Sequence, residues 1–376
     1  ALKPEAVVEK MMSFYRMHYS NVHRGAYYLS EQATAEYEKA RETVARFVNA
    51  GSREIVFTRS ATESINLAAA SWGMHNLKPG DEILLSEAEH HANLVPWQMV
   101  RDQTGCTLNF FAVNDDGSFN PENFYRALTP RTKLVGVAGI SNVLGTVFPV
   151  KEIAAAAHAN GALCLVDACQ SVVHQKIDVK DIGCDFLAFS GHKTYGPTGI
   201  GVLYGRYELL AAMPPYQTGG DMVKSVTLQH TEFAEPPARF EAGTPAIAEA
   251  VGLGAALEYM SRLGMENIAA HEKALMDYAL TRLAEIPELK VVGTAPDKGG
   301  VIAFALGSIH PQDVAFVLDK EGVAIRTGHH CAEPIVNRMG YTSLARASFG
   351  LYTTKEDIDR FVAALNKAKS FFLRVF

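Results

Sequence analysis

The sequence predicts an α/β protein in which helices cover a mostly parallel sheet of seven strands, followed by a smaller α+β domain. Seven short apolar runs are bounded by turn residues, as buried strands are. Helical patterns alternate with these runs, which is typical of a parallel sheet. A second set of helix and strand patterns begins near residue 245.

The elements follow one another along the chain in a regular order. The predicted strands of the larger domain are 54–57, 81–86, 107–113, 133–140, 162–167, 185–190 and 201–205. The predicted helices between them are 62–72, 93–104, 121–128 and 150–160, the last closed by Asn160 and Gly161. The chain begins at Ala1, without an initiator methionine and already in a helical pattern, so we expect further sequence before it.

The alternation fades between residues 206 and 243, where proline and glycine are frequent, and this segment is predicted to be a long functional loop region. The second set comprises helices 245–262, 265–285, 311–320 and 354–371 and strands 289–293, 300–306, 323–326 and 344–349. We assign residues 1–258 to the large domain and 259–376 to the small one.

Composition excludes several classes of function. The net charge of −6 gives no general attraction for nucleic acid or anionic membranes, and no apolar run reaches membrane-spanning length. The five cysteines are scattered and lack CxxC spacing, which argues against disulfides and zinc sites. A cytoplasmic protein without a metal is expected.

The segment 189–201, FSGHKTYGPTGIG, places Lys193 directly after a predicted strand and before a glycine-rich turn. A lysine is usually a solvated surface residue. Ligands of open α/β sheets bind beyond the carboxyl ends of the strands, however, and a lysine there can form a Schiff base. Ser190 and His192 lie at the same strand end.

Two further segments point to the same edge of the sheet. VDACQ ends a strand with Asp167 and Gln170, and Asp167 is either an ordinary loop cap or the partner of a protonated pyridine nitrogen. Ser60, Ala61 and Thr62 lead from a strand into a helix. That helix start is either an everyday capping arrangement or, with Ser190 and His192, a phosphate cradle.

Histidines and an asparagine follow two other strands. EHHANLVPW contains His90 and His91 without a third ligand at metal spacing, so a ring stacked on a planar cofactor is a better use for one of them than metal binding. A core histidine is the alternative. Asn142, from ISNVLGT, belongs to the same edge.

The smaller domain contains a polar loop, AIRTGHHCAEP, with Arg326, His329, His330 and Cys331. Cationic neighbours favour the thiolate of Cys331, which is the nucleophilic form, whereas the other four cysteines read as core residues. Arg346, on a predicted strand, either binds a substrate carboxylate or forms a surface ion pair.

Together these segments resemble the class V branch of the fold type I pyridoxal phosphate (PLP) enzymes. The resemblance is to the group II cysteine desulfurases of the SufS and CsdA type, also described as selenocysteine lyases. The matching segments, in the order of that family, are NVHRG, RSATESIN, EHHANLVPW, SNVLGT, VDACQ, SGHKTYGPTGIGVLYG, EAGTP, RTGHHCAEP and RASF. The resemblance spans almost the whole chain and implies the PLP-dependent transferase fold type I.

The resemblance also implies roles for individual residues. Lys193 would carry PLP, Asp167 would pair with the pyridine nitrogen, Gln170 with the ring hydroxyl, and His90 would stack on the ring. The phosphate would be held by Thr62, Ser190, His192 and, from the neighbouring subunit of a homodimer, Thr244. The substrate carboxylate would be bound by Asn142 and Arg346, with Arg326 and His23 as neighbours.

The implied reaction converts L-cysteine to L-alanine and leaves the sulfur on Cys331 as a persulfide. A SufE-like acceptor would then take the sulfur for iron–sulfur cluster assembly or sulfur transfer, and L-selenocysteine is a second implied substrate. An aminotransferase or kynureninase-like lyase, which would need no loop thiol, is one alternative. A noncatalytic sulfur-relay scaffold is the other.

The chain departs from the family pattern in three places. Ala168 and Cys169 stand where the family usually has Gly and Ala, and Glu333 stands where it usually has Gln. The family also has a strand-like segment just before LKPEAVV that borders the substrate site. The first two departures remove no catalytic group, and the third bears on the activity of this stretch of chain.

Overall fold

A computed structural model describes residues 1–372, and its larger part is built on a seven-stranded sheet. The strands are β1 (Ile55–Thr58), β2 (Glu82–Ser86), β3 (Thr107–Phe111), β4 (Thr132–Ala138), β5 (Leu163–Asp167), β6 (Phe186–Ser190) and β7 (Gly201–Gly205). They lie in the order β1-β7-β6-β5-β4-β2-β3, and β7 alone runs against its neighbours. The mostly parallel sheet expected from the sequence is confirmed.

Both faces of this sheet are buried. Successive side chains of a strand point to opposite faces, and in β5 Cys164 and Val166 join one apolar cluster whereas Leu165 joins another. β4 divides in the same way, with Val135 on one face and Leu134 on the other. A strand covered on both sides reads as a continuous apolar run, which is why the sequence revealed these strands.

Helices supply the covering layers. They are α1 (Glu5–Met17), α2 (Tyr28–Val48), α3 (Ala61–Leu67), α4 (Met74–Asn76), α5 (Val95–Thr104), α6 (Pro121–Ala127), α7 (Val150–Ala159), α8 (Ser171–His174), α9 (Val179–Ile182), α10 (Tyr207–Ala212) and α11 (Ile247–Leu263). A π-helical stretch, Ala68–Gly73, follows α3, so the helix predicted over 62–72 changes its hydrogen-bonding pattern part-way. No helix within residues 1–372 has the length and apolar character needed to cross a membrane.

The region predicted as a long loop, 206–243, contains regular structure. Besides α10 it holds a two-stranded hairpin, β8 (Val223–Val226) and β9 (Thr231–Phe233). Most of these strand residues are exposed, so the hairpin has no buried face and gives no apolar pattern in the sequence.

The smaller part has its own antiparallel sheet and apolar core. Its elements are α12 (Met265–Leu283), β10 (Leu289–Val292), β11 (Val301–Leu306), α13 (Pro311–Lys320), β12 (Arg326–Gly328), α14 (Glu333–Arg338), β13 (Leu344–Ser348) and α15 (Lys355–Phe372). The strand order is β10-β11-β13-β12, which confirms the α+β prediction. The boundary at residue 258 stays a prediction and falls within α11.

The strand predicted at 323–326 begins only at Arg326. The backbone N–H of Val323 donates to the carbonyl oxygen of Leu318, which closes the end of α13, so this N–H is not available to a sheet.

Candidate active site

The carboxyl ends of β2, β4, β5 and β6 border a cavity of about 220 Å³, which the smaller part of the protein covers with two arginines. The predicted site residues among its lining are Thr62, His90, Asn142, Asp167, Gln170, Ser190, His192, Lys193, Arg326 and Arg346. The fold therefore brings together residues that lie far apart in the sequence.

Lys193 lies in the connection between β6 and β7, residues 191–200. Ser190 pairs with Gly201 in the antiparallel register, so both ends of this connection are anchored in the sheet. The backbone N–H of Lys193 donates to the carbonyl oxygen of Ser190 over 3.3 Å. This closed turn holds Lys193 at the edge where a ligand would bind.

The first turn of α3 lies beside that connection. The hydroxyl of Ser190 accepts a hydrogen bond of 2.8 Å from the backbone N–H of Ala61. A Cβ on Gly201 would lie 2.4 Å from Cα of Ser60, so only glycine permits this approach. Thr62 and the partial positive charge of the helix start therefore face an anion that enters the cavity.

His90 and Asp167 lie on two neighbouring parts of the cavity wall. The pKa of His90 is lowered to about 4, chiefly by burial; the Asp167 carboxylate opposes this shift, and the Lys193 cation contributes to it. Nδ1 of His90 accepts a hydrogen bond of 3.0 Å from the Ala92 backbone N–H, which leaves the hydrogen of the neutral ring on Nε2. A neutral, flat imidazole suits stacking on an aromatic ligand.

Asp167 is buried at the end of β5, and its Oδ1 accepts the backbone N–H of Cys169 over 3.0 Å. Cys169, which was predicted from the sequence as a core residue, lines the cavity although it is buried. Burial raises the pKa of the Cys169 thiol to about 12, so this thiol stays protonated.

Two arginines meet on the opposite wall. Arg326 of β12 and Arg346 of β13 are direct partners in the antiparallel register. Burial lowers the pKa of Arg346 to about 10, and the charge of Arg326 adds to the shift. Two like charges at one place favour an anion between them, and the buried Nε of Arg346 has no hydrogen-bond partner within residues 1–372. A carboxylate fits this need.

Cys331 is half-buried and lies beside Arg326, whose Nη2 donates to its sulfur over 3.2 Å. Its φ is 58°, and that of His330 is 54°, so two consecutive non-glycine residues have left-handed backbone. The other cysteines are buried and unpaired: Cys106, Cys164, Cys169 and Cys184. Cys331 is the thiol with solvent access and a cationic neighbour.

The loop of Cys331 is held by residues of the larger part. The backbone N–H of His91 donates to the carbonyl oxygen of Cys331 over 2.7 Å, and Nε2 of His91 accepts the N–H of Glu333 over 3.1 Å. Asn142 Nδ2 donates to the carbonyl oxygen of His330 over 2.7 Å. The sequence analysis missed this role of His91, because the two adjacent histidines give no signal that separates them.

Glu89 was also missed. Its carboxyl group is buried and accepts hydrogen bonds from the backbone N–H of Ala138 over 2.9 Å and from Nδ2 of Asn93 over 2.8 Å. Burial raises the pKa of Glu89 to about 8. Glu87 follows the apolar strand β2 directly and Glu89 comes three residues after its end, so no local pattern separates the buried glutamate from the other.

Three predicted residues lie outside the cavity lining: Cys331, which lies beside Arg326 at its border, His23 and Thr244. His23 contacts Glu38 over 2.9 Å, and this carboxylate raises the pKa of His23. Thr244 is exposed on the segment that follows the hairpin, beside Phe240 and Tyr216. Their roles at the active site stay predictions.

The model of the family "Aminotransferase class-V" matches residues 1–361. The chain belongs to the aminotransferase class-V family. Two curated relatives in this class-V family are close over almost their full length. A cysteine desulfurase of Dickeya dadantii is 52% identical, over 98% of this chain and 89% of that protein. A probable cysteine desulfurase of Halalkalibacterium halodurans is 49% identical, over 100% of this chain and 92% of its own length.

Solved structures agree with this class-V assignment. The apo cysteine desulfurase of Thermococcus onnurineus has a TM-score of 0.96 and 39% identity, over 99% of this chain and 93% of that one. The cysteine desulfurase CsdA of Escherichia coli, solved as the S-sulfonic acid, has a TM-score of 0.93 and 40% identity over the same shares. A C-DES variant with glycine linked to its PLP cofactor is 23% identical over 96% of this chain and 93% of that one, with a TM-score of 0.84, and shows the fold alone.

The cavity of this class-V protein fits PLP. The amine of Lys193 and the buried carboxylate of Asp167 suit the aldehyde and the pyridine nitrogen, and the neutral ring of His90 suits the flat face. The start of α3 suits the phosphate. PLP is the cofactor of this family, and the donor set of this chain matches it.

Proposed function

We propose that this chain is a PLP-dependent cysteine desulfurase, which converts L-cysteine to L-alanine and retains the sulfur on Cys331 as a persulfide. One observation carries the proposal: the half-buried thiol of Cys331 is hydrogen-bonded to Arg326, which lines the same cavity as Lys193 and Asp167. The full-length likeness to cysteine desulfurases supports the same reaction.

Arg346 and Asn142 are proposed to bind the carboxylate of the substrate. The Nη1 of Arg346 already donates to the carbonyl oxygen of Asn142 over 2.7 Å, so both side chains are held at one place. An arginine can bind a carboxylate with two parallel hydrogen bonds, which also orients the substrate. The sulfur of the substrate would then point toward the loop of Cys331.

Lys193 has a second task in this scheme. Bound PLP supplies an electron sink for the α-carbon of the substrate. The Nζ of Lys193, released when the substrate takes its place, removes the proton from that carbon. Asp167 would pair with the pyridine nitrogen of the cofactor, and His90 would exclude water from one face of the ring.

The sulfur moves by nucleophilic displacement. The thiolate of Cys331 attacks the sulfur of the substrate, so that an S–S bond forms as the C–S bond breaks. The electron pair of the broken bond stays on the three-carbon fragment, which takes up one proton at the β-carbon, regains one at the α-carbon from Lys193, and leaves as L-alanine. The enzyme thiol is thereby converted to a persulfide, and no external oxidant or reductant is needed.

A homodimer is part of the proposal. Thr244 lies outside the cavity of its own chain, as expected of a residue that reaches the phosphate in a neighbouring subunit. Exposed apolar side chains near the N-terminal end also support an interface: Leu2, Tyr15, Met17, Tyr19, Tyr27 and Tyr28. Sedimentation at micromolar concentration checks the dimer, and a monomer that retains PLP and full activity would contradict it.

The persulfide needs an acceptor, for which we propose a SufE-like protein serving iron–sulfur cluster assembly or general sulfur transfer. The partial exposure of Cys331 supports such delivery. A reducing, cytoplasmic location is also proposed, because the five cysteines within the described residues are all free thiols. L-selenocysteine is a second proposed substrate.

The test measures L-alanine and persulfide formed from L-cysteine by the PLP-loaded chain and its Cys331→Ala variant. We expect both products from the intact chain, and a yellow, PLP-loaded variant that forms neither. Persulfide on the variant, or equal alanine production by both proteins, would contradict the role of Cys331. Retained activity of the variant on L-selenocysteine would show that selenium leaves without this thiol.

A further inference from the structure

A lysine outside the cavity connects the smaller part of the protein to the larger one. Lys298 belongs to the segment 293–300, which leads from β10 to β11. This segment lies along the larger part, where the Gly299 N–H donates to the carbonyl oxygen of Gly145 over 2.8 Å. Thr146 and Lys298 form an antiparallel bridge at the same place.

The side chain of Lys298 is directed inward. Its Nζ donates to the carbonyl oxygens of Leu144 and Gly293, one on each side of the junction. Burial lowers the pKa of Lys298 to about 8, and no carboxylate forms an ion pair with it within residues 1–372. A lysine amine removed from water without a counter-ion is costly, so these two contacts serve a defined purpose.

The contact with Leu144 bears on the active site through a short loop. Leu144 and Asn142 belong to one turn, in which Ser141 Oγ accepts the Leu144 N–H over 3.2 Å. The Gly145 N–H donates to the carbonyl oxygen of Ser141 over 3.0 Å, which closes the turn. Fixing the carbonyl oxygen of Leu144 therefore fixes the backbone that carries Asn142.

The same segment leads to the second carboxylate ligand. β11, which begins at Val301, pairs with β13 so that Ala303 lies opposite Arg346. Arg346 donates to the carbonyl oxygen of Asn142, and Lys298 donates to that of Leu144 in the same turn. The segment of Lys298 and the strand of Arg346 are therefore both hydrogen-bonded to the turn that carries Asn142.

We propose that Lys298 is a positioning residue, which sets the separation of Asn142 and Arg346 and thereby the affinity for the substrate carboxylate. The inference rests on the proposed function, in which L-cysteine binds through these two side chains. Without the two hydrogen bonds of Lys298, the two parts of the protein can move apart at this junction. The distance between Asn142 and Arg346 is then no longer fixed. The loop of Cys331 shares the contact from Asn142 to His330 but keeps its two hydrogen bonds with His91, which do not depend on the turn of Asn142.

The experiment compares the PLP-loaded wild type with Lys298→Met, which keeps the length of the side chain but donates no hydrogen bond. We expect KM for L-cysteine and Kd for L-alanine, which has the same carboxylate but no sulfur, to rise about tenfold while kcat changes by less than about twofold. Lys298→Arg should restore most of the affinity, because its guanidinium donates to both carbonyl groups.

Lys273→Met is the matched control. Lys273 borders the same cleft between the two parts as Lys298, but its side chain is exposed and paired with Asp277. We expect wild-type KM and Kd for this control. Unchanged constants in Lys298→Met, or an equal increase in the control, would overturn the proposal, as would a fall in kcat at constant KM.

Two further comparisons distinguish the positioning role of Lys298 from a folding defect and from failure of the proposed function. Should Lys298→Met fail to fold, Lys298→Gln replaces it, because the shorter amide loses the reach to both carbonyl oxygens. A wild type that binds L-alanine but forms no persulfide from L-cysteine would refute the proposed function alone. Weaker L-alanine binding by the Lys298 variants would still support the positioning role in that case.

Discussion

The backbone N–H of His91 donates a hydrogen bond of 2.7 Å to the carbonyl oxygen of Cys331. The preceding residue, His90, lines the cavity, so adjacent residues contact the proposed cofactor site and the loop of Cys331. The left-handed backbone of His330 and Cys331 is unfavourable for residues with side chains. Contacts from outside the loop must therefore maintain its conformation.

His91→Ala is expected to slow persulfide formation. The variant loses the ring nitrogen that accepts the Glu333 N–H, and one such hydrogen bond corresponds to a rate effect of roughly threefold to tenfold. The measurement is the single-turnover rate of persulfide formation on Cys331. His75→Ala, an exposed histidine of α4, is the control, and equal rates in all three proteins would contradict the role of His91.

Arg326→Gln is expected to make Cys331 less reactive in the absence of substrate. The guanidinium nitrogen donates to the sulfur over 3.2 Å, and the loss of this cationic neighbour should slow alkylation by iodoacetamide several-fold at pH 7. Mass spectrometry follows the labelling of Cys331. Arg338→Gln, an exposed arginine of the following helix, should label at the wild-type rate, and faster labelling of the Arg326 variant would refute the prediction.

Glu89→Gln is expected to change the pH dependence of stability. The pKa of Glu89 is raised to about 8 in the folded protein, so its contribution is complete below the ordinary glutamate pKa and is lost as pH rises through 8. The glutamine has no such loss. The free energy of unfolding of the variant relative to wild type should therefore rise by a few kcal/mol between pH 5 and pH 8.

Urea unfolding of both PLP-loaded proteins at several pH values measures this difference. A constant offset is expected as well, because the amide cannot accept from both Ala138 and Asn93, and only the slope tests the prediction. Glu42→Gln, at an exposed position of α2, should show no slope. A parallel pair of curves for Glu89→Gln and wild type would rule out a protonated Glu89.

Arg41→Met is expected to destabilise the protein strongly. Arg41 and Glu241 are both buried and form an ion pair of 2.6 Å, in the segment that leads to Thr244. Removing one partner leaves an unpaired buried charge, which costs about 3–5 kcal/mol in the free energy of unfolding. Lys10→Met, from a more exposed pair with Glu36, should cost less than about 1 kcal/mol.

The double variant Arg41→Met, Glu241→Leu tests the cause of this loss. Removing both charges should recover much of the stability, because no unpaired carboxylate remains. Denaturant unfolding of the wild type, Arg41→Met, Lys10→Met and the double variant gives the comparison. A double variant no more stable than Arg41→Met would contradict the unpaired charge of Glu241 as the cause of the loss.

The sequence predicted the elements whose burial leaves a pattern. The strands of the large sheet are apolar on both faces, and their ends marked Asp167 and Lys193 as site residues. The hairpin of β8 and β9 is exposed and left no such pattern. The reversed direction of β7 could not be predicted either, because a buried strand has the same apolar pattern whichever way it runs in the sheet.

Local sequence patterns could not predict the contacts between distant segments of the chain. The hydrogen bonds of His91 to the loop of Cys331 join residues about 240 positions apart in the chain, and no spacing rule predicts such a pair. The placement of His23 and Thr244 outside their own chain's cavity is likewise a property of the folded surface. Resemblance to a family supplied their roles, and those roles await experiment.

The antiparallel pairing of β6 with β7 determines where the chain can accept an inserted residue. A parallel connection would leave the sheet edge through a helix and could absorb an inserted residue far from the site. The connection 191–200 returns directly to Gly201, so an added residue has to be accommodated between the paired residues Ser190 and Gly201, in the segment that carries Lys193. The exposed turn of the β8–β9 hairpin carries no such restriction, and length variation among engineered versions of this chain belongs there.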